Sequence, residues 1–486
     1  MKTRILIGAC VLWSTSLSAQ VLPLTEDFSR AEPGEHLPGG ATSHKSRNST
    51  TSFLKPAKNL SFENRLDFRI GESIFAKLWV FSPSSTTASD GLGPLYNARS
   101  CMGCHIKGGR GHVPRGNWPE DNAISMLMRL SIPPQTEAQR VLLASGKLPF
   151  ISEPTYGAQL QDFAVPGMHS EGRIHISYTE RSVDLSGGQR VSLRQPSYKI
   201  VDLADGPLHP EVMQSVRLAN PMIGLGLLEA IPEADLLALE DPEDSDGDGI
   251  SGRANRVWDE AKQRQVLGRF GWKAGNPSLN QQNSAAFAGD MGLSTQLFDQ
   301  AYNGDCTARQ QRCLDMADGR SAHLDNLEVA TQMTAVLDLF TKNIAVPARK
   351  DANSPDVLVG KRLFYSSGCA GCHQPGFVTS SEAGPEQASQ RIWPYTDLLL
   401  HDMGEGLADN RPEYQASGRE WRTAPLWALD VSRAVSGELN LLHDGRARSI
   451  LEAILWHGGE AQASRETVRQ MVPADREKLL RFLESL

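Results

Sequence analysis

The sequence predicts a mainly α protein in two halves, each built round a Cys-x-x-Cys-His motif, with a β-rich insertion in the first half. Three observations carry this expectation. The motif occurs twice, as Cys101-Met102-Gly103-Cys104-His105 and Cys369-Ala370-Gly371-Cys372-His373. Most apolar stretches around the motifs follow helical spacing, whereas residues 174–201 alternate. The chain also has 486 residues, enough for two or three domains.

Composition narrows the class. Hydrophobic residues make up 40% and charged residues 22%, as in a globular protein with a sizeable core. A net charge of −8 argues against nucleic acid or an anionic membrane surface as partner and suits a basic electron donor. Residues 1–19 read as a secretory signal peptide: Lys2 and Arg4, then the apolar run Ile5 to Trp13, then small residues to Ala19. Elsewhere no apolar run approaches the ~18 residues needed to span a bilayer. The expected mature protein is exported, periplasmic and not membrane-spanning.

Taken in order, residues 20–60 are polar and read as an extended N-terminal arm. A first domain, 61–346, opens with helical spacing over Leu66 to Val80. Helices are expected at Ile124 to Leu130, Glu137 to Leu143, Ile223 to Ile231, Ala234 to Leu239 and Ala322 to Phe340. Alternation at Ile174, Ile176 and Tyr178, and again at Val191 and Leu193, flanks Gly187-Gly188 and predicts a β-hairpin. Pro347 to Pro355 reads as a linker, and 356–486 as a compact second domain. Gly71-Glu72-Ser73-Ile74-Phe75 resembles Gly360-Lys361-Arg362-Leu363-Phe364. Gly271-Trp272-Lys273-Ala274 with Ser278-Leu279 resembles Asp444-Gly445-Arg446-Ala447 with Ser449-Ile450-Leu451. These pairs predict an imperfect duplication.

The motifs supply the chemistry. Two thiols two residues apart can each add to one haem vinyl group, and the adjacent histidine then binds iron from the proximal side. Cys101, Cys104 and His105, with Cys369, Cys372 and His373, are thus candidates for two covalently bound c-type haem groups, which makes the fold two cytochrome c-like haem domains. A redox CxxC pair or half a zinc site is the alternative for either motif alone. Cys306 and Cys313 remain, and a local disulfide is expected, with a thiol oxidoreductase pair as the other reading.

Function turns on the sixth iron ligand, since a vacant position admits a substrate. In the second domain His457 follows the apolar Ile450 to Trp456 and can point inward, or can serve as a helix C-terminal residue favoured by the dipole. Met403 is its rival. The first domain has no comparable candidate, which predicts an open or weakly ligated haem there. Asp290 and Gln282 are candidates for proton handling at that site, alongside an ordinary capping or solvated role. Asp244, Asp246 and Asp248 form a DxDxDG loop that suits calcium or a bare acidic turn.

Several stretches together resemble the bacterial di-haem cytochrome c peroxidase superfamily, most closely its di-haem oxidoreductase branch, often labelled thiol oxidoreductase-like. These are Gly91-Leu92-Gly93-Pro94, Gly268-Arg269-Phe270-Gly271-Trp272-Lys273-Ala274, His401-Asp402-Met403-Gly404 and His443-Asp444-Gly445-Arg446. The resemblance implies a peroxidatic N-terminal haem and a C-terminal haem where electrons enter. Trp272 falls at the tryptophan between them, and Gln282 and Asp290 fall near the distal Gln and Glu, with Asp one methylene shorter. It also implies His457 as sixth ligand of the second haem. The expected function is reduction of peroxide or a related small-molecule oxidant, with electrons from a small donor protein or a quinol-linked donor. A non-catalytic di-haem electron-transfer protein is the alternative.

Overall fold

In the computed structural model, residues 21–45, 49–86, 88–122, 124–302 and 306–486 are described. The expected signal peptide lies outside them. The mainly α expectation fails: helix accounts for 29% and strand for 17%. Among the described residues the strands form six two-stranded antiparallel sheets. The reason is local. With 43 glycines and 28 prolines, the chain repeatedly breaks regular structure and runs as short elements and turns.

Two segments show how spacing misleads. Residues 124–130 were expected to be helical, yet Met126–Ser131 is a strand paired with Met213–Leu218, Met128 opposite Val216. Met126, Met128 and Leu130 alternate into the core, but Leu127 between them disguises the period as a short apolar run. The helix expected over 322–340 is a single turn, Ala322–Leu324, and then a helix, Thr331–Lys342. Asp325 and Asn326 break it with φ of 62° and 60°. Glu137–Ala144 is helical as expected, held by a Thr136/Gln139 capping box. The hairpin also forms: Arg173–Asp184 pairs with Arg190–Val201, and Gly187 and Gly188 turn between them at positive φ. Its tip leans on the second half, where Leu185 and Leu193 share a core with Trp272 and Trp456.

The duplication is real in three dimensions. Helix Phe62–Ala76 packs on Thr331–Lys342, and helix Pro355–Ser366 packs on Pro473–Ser485. A glycine makes each crossing close. A Cβ on Gly71 would stand 2.5 Å from the Val336 carbonyl oxygen, and one on Gly360 would stand 2.1 Å from that of Lys478. Four residues on, Phe75 lies 5.3 Å from the Phe340 ring and 6.2 Å from His105, while Phe364 lies 5.4 Å from Phe482 and 6.2 Å from His373. Each motif histidine is therefore seated against the same helix pair. The second parallel also holds. Helix Leu279–Met291 starts at Ser278 and helix Ile450–Trp456 at Ser449, each serine accepting the third residue's N–H.

The described residues between 21 and 60 are packed rather than extended away. Phe53, Leu54 and Leu60 join a core that contains Phe68 and Phe340 of the first half and Trp427 of the second. Glu35 is fully buried in the second half, where it accepts from Arg349, from Lys361 at 2.8 Å and from the Tyr395 hydroxyl at 2.9 Å. Cys306 and Cys313 form a buried disulfide.

Candidate functional site

The second motif opens onto a cleft with about 1410 Å³ of empty space, open solvent at its mouth included. Cys369, Cys372, His373, Met403 and His457 all line it, with a mainly apolar wall that includes Phe364, Leu426, Leu441 and Ile454. His373 Nδ1 lies 2.8 Å from the Tyr395 carbonyl, and His457 Nδ1 lies 2.7 Å from that of Ala453. A carbonyl only accepts, so each Nδ1 carries the proton and each Nε2 keeps its lone pair. Burial pushes His373 down to about 4, outweighing the Tyr395 carbonyl, and lowers His457 likewise. Both imidazoles are neutral at neutral pH.

His401, in the His-Asp-Met-Gly stretch, does something else. It is buried between Asp397 and Glu460, 2.8 Å from each, and 3.6 Å from Cys372 Sγ. Burial opposes its charge, yet Asp397 and Cys372 together outweigh burial and hold the imidazole well above its usual range. It is a fixed imidazolium bracing the motif, with neither ring nitrogen free for a metal. His443 stacks on Trp421 with ring centroids 3.8 Å apart.

At the first motif His105 Nδ1 lies 2.6 Å from the Asn220 carbonyl, which again leaves Nε2 free. Asp290 is beside this motif, and its charge bears on Cys101, Cys104 and His105. Its Oδ1 accepts from Gln159 Nε2 at 3.0 Å. Gln282 lies two turns away on the same helix, about 12 Å along the axis, and accepts from Asn276 Nδ2 at 3.0 Å. The two residues do not touch. They share with Ala286 a half-buried helix face at four-residue spacing.

The four motif cysteines carry free thiols. Burial pushes Cys101 and Cys369 up to about 12, the opposite of what a reactive dithiol needs. Both sites thus fit a haem: two thiols, a neutral histidine and, at the second site, an apolar cleft with a second neutral histidine facing it.

One segment joins the sites. The Leu218 carbonyl accepts from Trp272 Nε1 at 2.8 Å, and Trp272 lines the second cleft. Two residues on, the Asn220 carbonyl takes the His105 proton. Between them the Ala219 carbonyl accepts from Gly111 at 3.0 Å.

The acidic loop leads into the second cleft, which Ile250 lines. Asp241, Asp244 and Asp246 bring carboxylate oxygens within 4.8 Å of one another. Asp248 instead accepts from the Ile250 N–H at 2.8 Å. Sequence spacing missed Asp241 because it precedes the motif.

The chain matches, over residues 34–486, the family described as "di-haem oxidoreductase, putative peroxidase". It belongs to that di-haem oxidoreductase family, and haem is its cofactor. No curated protein matches the sequence. Among the described residues no helix is long and apolar enough to cross a membrane.

Proposed function

We propose that the protein is an exported di-haem c oxidoreductase that reduces peroxide, or a related small oxidant, at the His105 haem. Electrons from a donor protein or a quinol-linked donor enter at the His373 haem. The single observation carrying this reading is the unequal pair of capped helices. Counting from the serine caps, His457 is the eighth residue after Ser449, and the eighth after Ser278 is Ala286. By that count the first half has a methyl group, inside its helix, at the place in sequence where the second half has His457 at its helix C-cap.

Cys101 and Cys104, and Cys369 and Cys372, would attach the two haems, with His105 and His373 as proximal ligands and His457 as sixth ligand of the second. When bound, haem supplies one-electron redox chemistry at each site and reductive O–O cleavage at the open one. The overall reaction consumes two electrons and two protons per hydrogen peroxide and releases two waters. In this reading Gln282 would orient a small polar substrate on the half-buried helix face. Asp290, at the motif and hydrogen-bonded by Gln159, would hold and deliver a proton. Trp272 and the Leu218–Asn220 main chain supply a route between the sites.

The reading is tested by adding peroxide to the reduced, haem-loaded protein and following both haem spectra. Oxidation of both haems with loss of peroxide supports it. Unchanged spectra with peroxide intact favour the non-catalytic electron carrier. A calcium ion in the acidic loop is a separate expectation, with Asp241, Asp244 and Asp246 as its ligands. Calorimetric titration of the chelator-treated protein tests it.

A further inference from the structure

Among the described residues, no carboxylate pairs with the buried cation Arg110. It sits five residues after His105, yet its side chain lines the cleft of the other motif, beside His373 and Trp272. Only 6% of the residue is exposed. Its Nε and Nη1 have no hydrogen-bond partner among the described residues. Its guanidinium carbon stands 5.7 Å from the centre of the Trp272 ring. Burial alone pushes it down, to about 10, with no carboxylate acting to offset it. The one carboxylate lining the cleft, Glu460, is already bound by His401 and Ser251. Arg422, on the same wall, makes a useful contrast: it donates to the Gly271 and Thr423 carbonyls.

A buried, unpaired guanidinium costs several kcal/mol unless a counter-charge arrives, and its planar fork matches a carboxylate. We propose that Arg110 is the anchor for a propionate carboxylate of the haem held at His373. The inference rests on the haem assignment above. It also gives the bound cofactor a structural role between the halves, because Arg110 belongs to the peptide that follows the first motif. The second haem would then be held in part by the first half, through Arg110.

The test uses the haem-loaded full chain. Arg110→Gln removes a positive charge beside the second haem, so its midpoint potential in a spectroscopic redox titration is expected to fall. The propionate, having lost its partner, becomes more basic, so the pH at which the potential starts to depend on protons moves upward. Arg110→Lys keeps the charge and loses the fork, and should restore the potential but shift the propionate-bending band in the resonance Raman spectrum. Where the Gln variant does not accumulate, the Raman comparison of Lys variant and wild type decides alone. An unchanged potential and pH profile in Arg110→Gln, or an unshifted band in Arg110→Lys, overturns the assignment. A wild-type protein that carries no haem would instead overturn the reading on which it rests, so the two failures are distinguishable.

Discussion

His373 and His457 face one cleft, and each has its Nδ1 proton tied to a main-chain carbonyl, Tyr395 for one and Ala453 for the other. Such bonds fix the tautomer and the ring orientation before any metal arrives. This pair is the basis for proposing a bis-histidine second haem. His457→Ala removes one ligand and is expected to turn that haem from low-spin to high-spin, read by visible absorption and electron paramagnetic resonance. An unchanged low-spin signal would pass the role to Met403, which lines the same cleft.

The first haem is distinguished by what it lacks. Ala286→His supplies an imidazole at the position equivalent to His457. The expected result is a six-coordinate first haem that no longer binds cyanide, with the second haem spectrally unaltered. A variant that still binds cyanide like the wild type would break the register argument.

Asp290 is the residue proposed to move a proton at the first motif. Asp290→Asn retains the shape beside Gln159 and loses the acid. Since general acid–base groups typically contribute about 10²–10⁴-fold, peroxide turnover should fall by about that factor while both haem spectra stay as they are. A wild-type rate would assign the proton to another group.

His401 links stability to pH. Its folded-state pKa is raised, so its contribution is complete below the unfolded value of about 6.5 and is lost as pH rises through the raised one. His401→Gln leaves Asp397 and Glu460 buried without their cation. It should cost about 3–5 kcal/mol near pH 6, and the gap to wild type should narrow at alkaline pH in thermal denaturation. A gap independent of pH would mean that the histidine is neutral in the folded protein.

Trp272→Phe keeps an aromatic wall but loses the bond to the Leu218 carbonyl, at a cost of about 1 kcal/mol. Electron transfer between the haems, followed by stopped-flow absorption, should slow while each haem keeps its own spectrum. An unchanged rate would remove the Trp272–Leu218–Asn220 route.

The sequence made the chemistry legible sooner than the architecture. Short motifs single out Cys101, Cys104, His105, Cys369, Cys372 and His373 because covalent haem attachment would demand that spacing. The glycine-phenylalanine pairs Gly71/Phe75 and Gly360/Phe364 announce the repeated helix crossing. Helix content was overestimated because short apolar runs such as 124–130 do not tell strand from helix. Long-range partners were invisible. Nothing near His401 points to Glu460, and nothing near Arg110 points to a cleft formed mostly by residues of the second half. Ala286 could have been found, since counting from two serine caps needs only the duplicated stretches.

The central claim is that the two haems are unequal, and cyanide titration of the oxidised, haem-loaded protein tests it most directly. Followed by visible absorption and electron paramagnetic resonance, one haem should take up cyanide while the other keeps its bis-histidine low-spin signature. Two low-spin haems that both refuse the ligand would contradict the account.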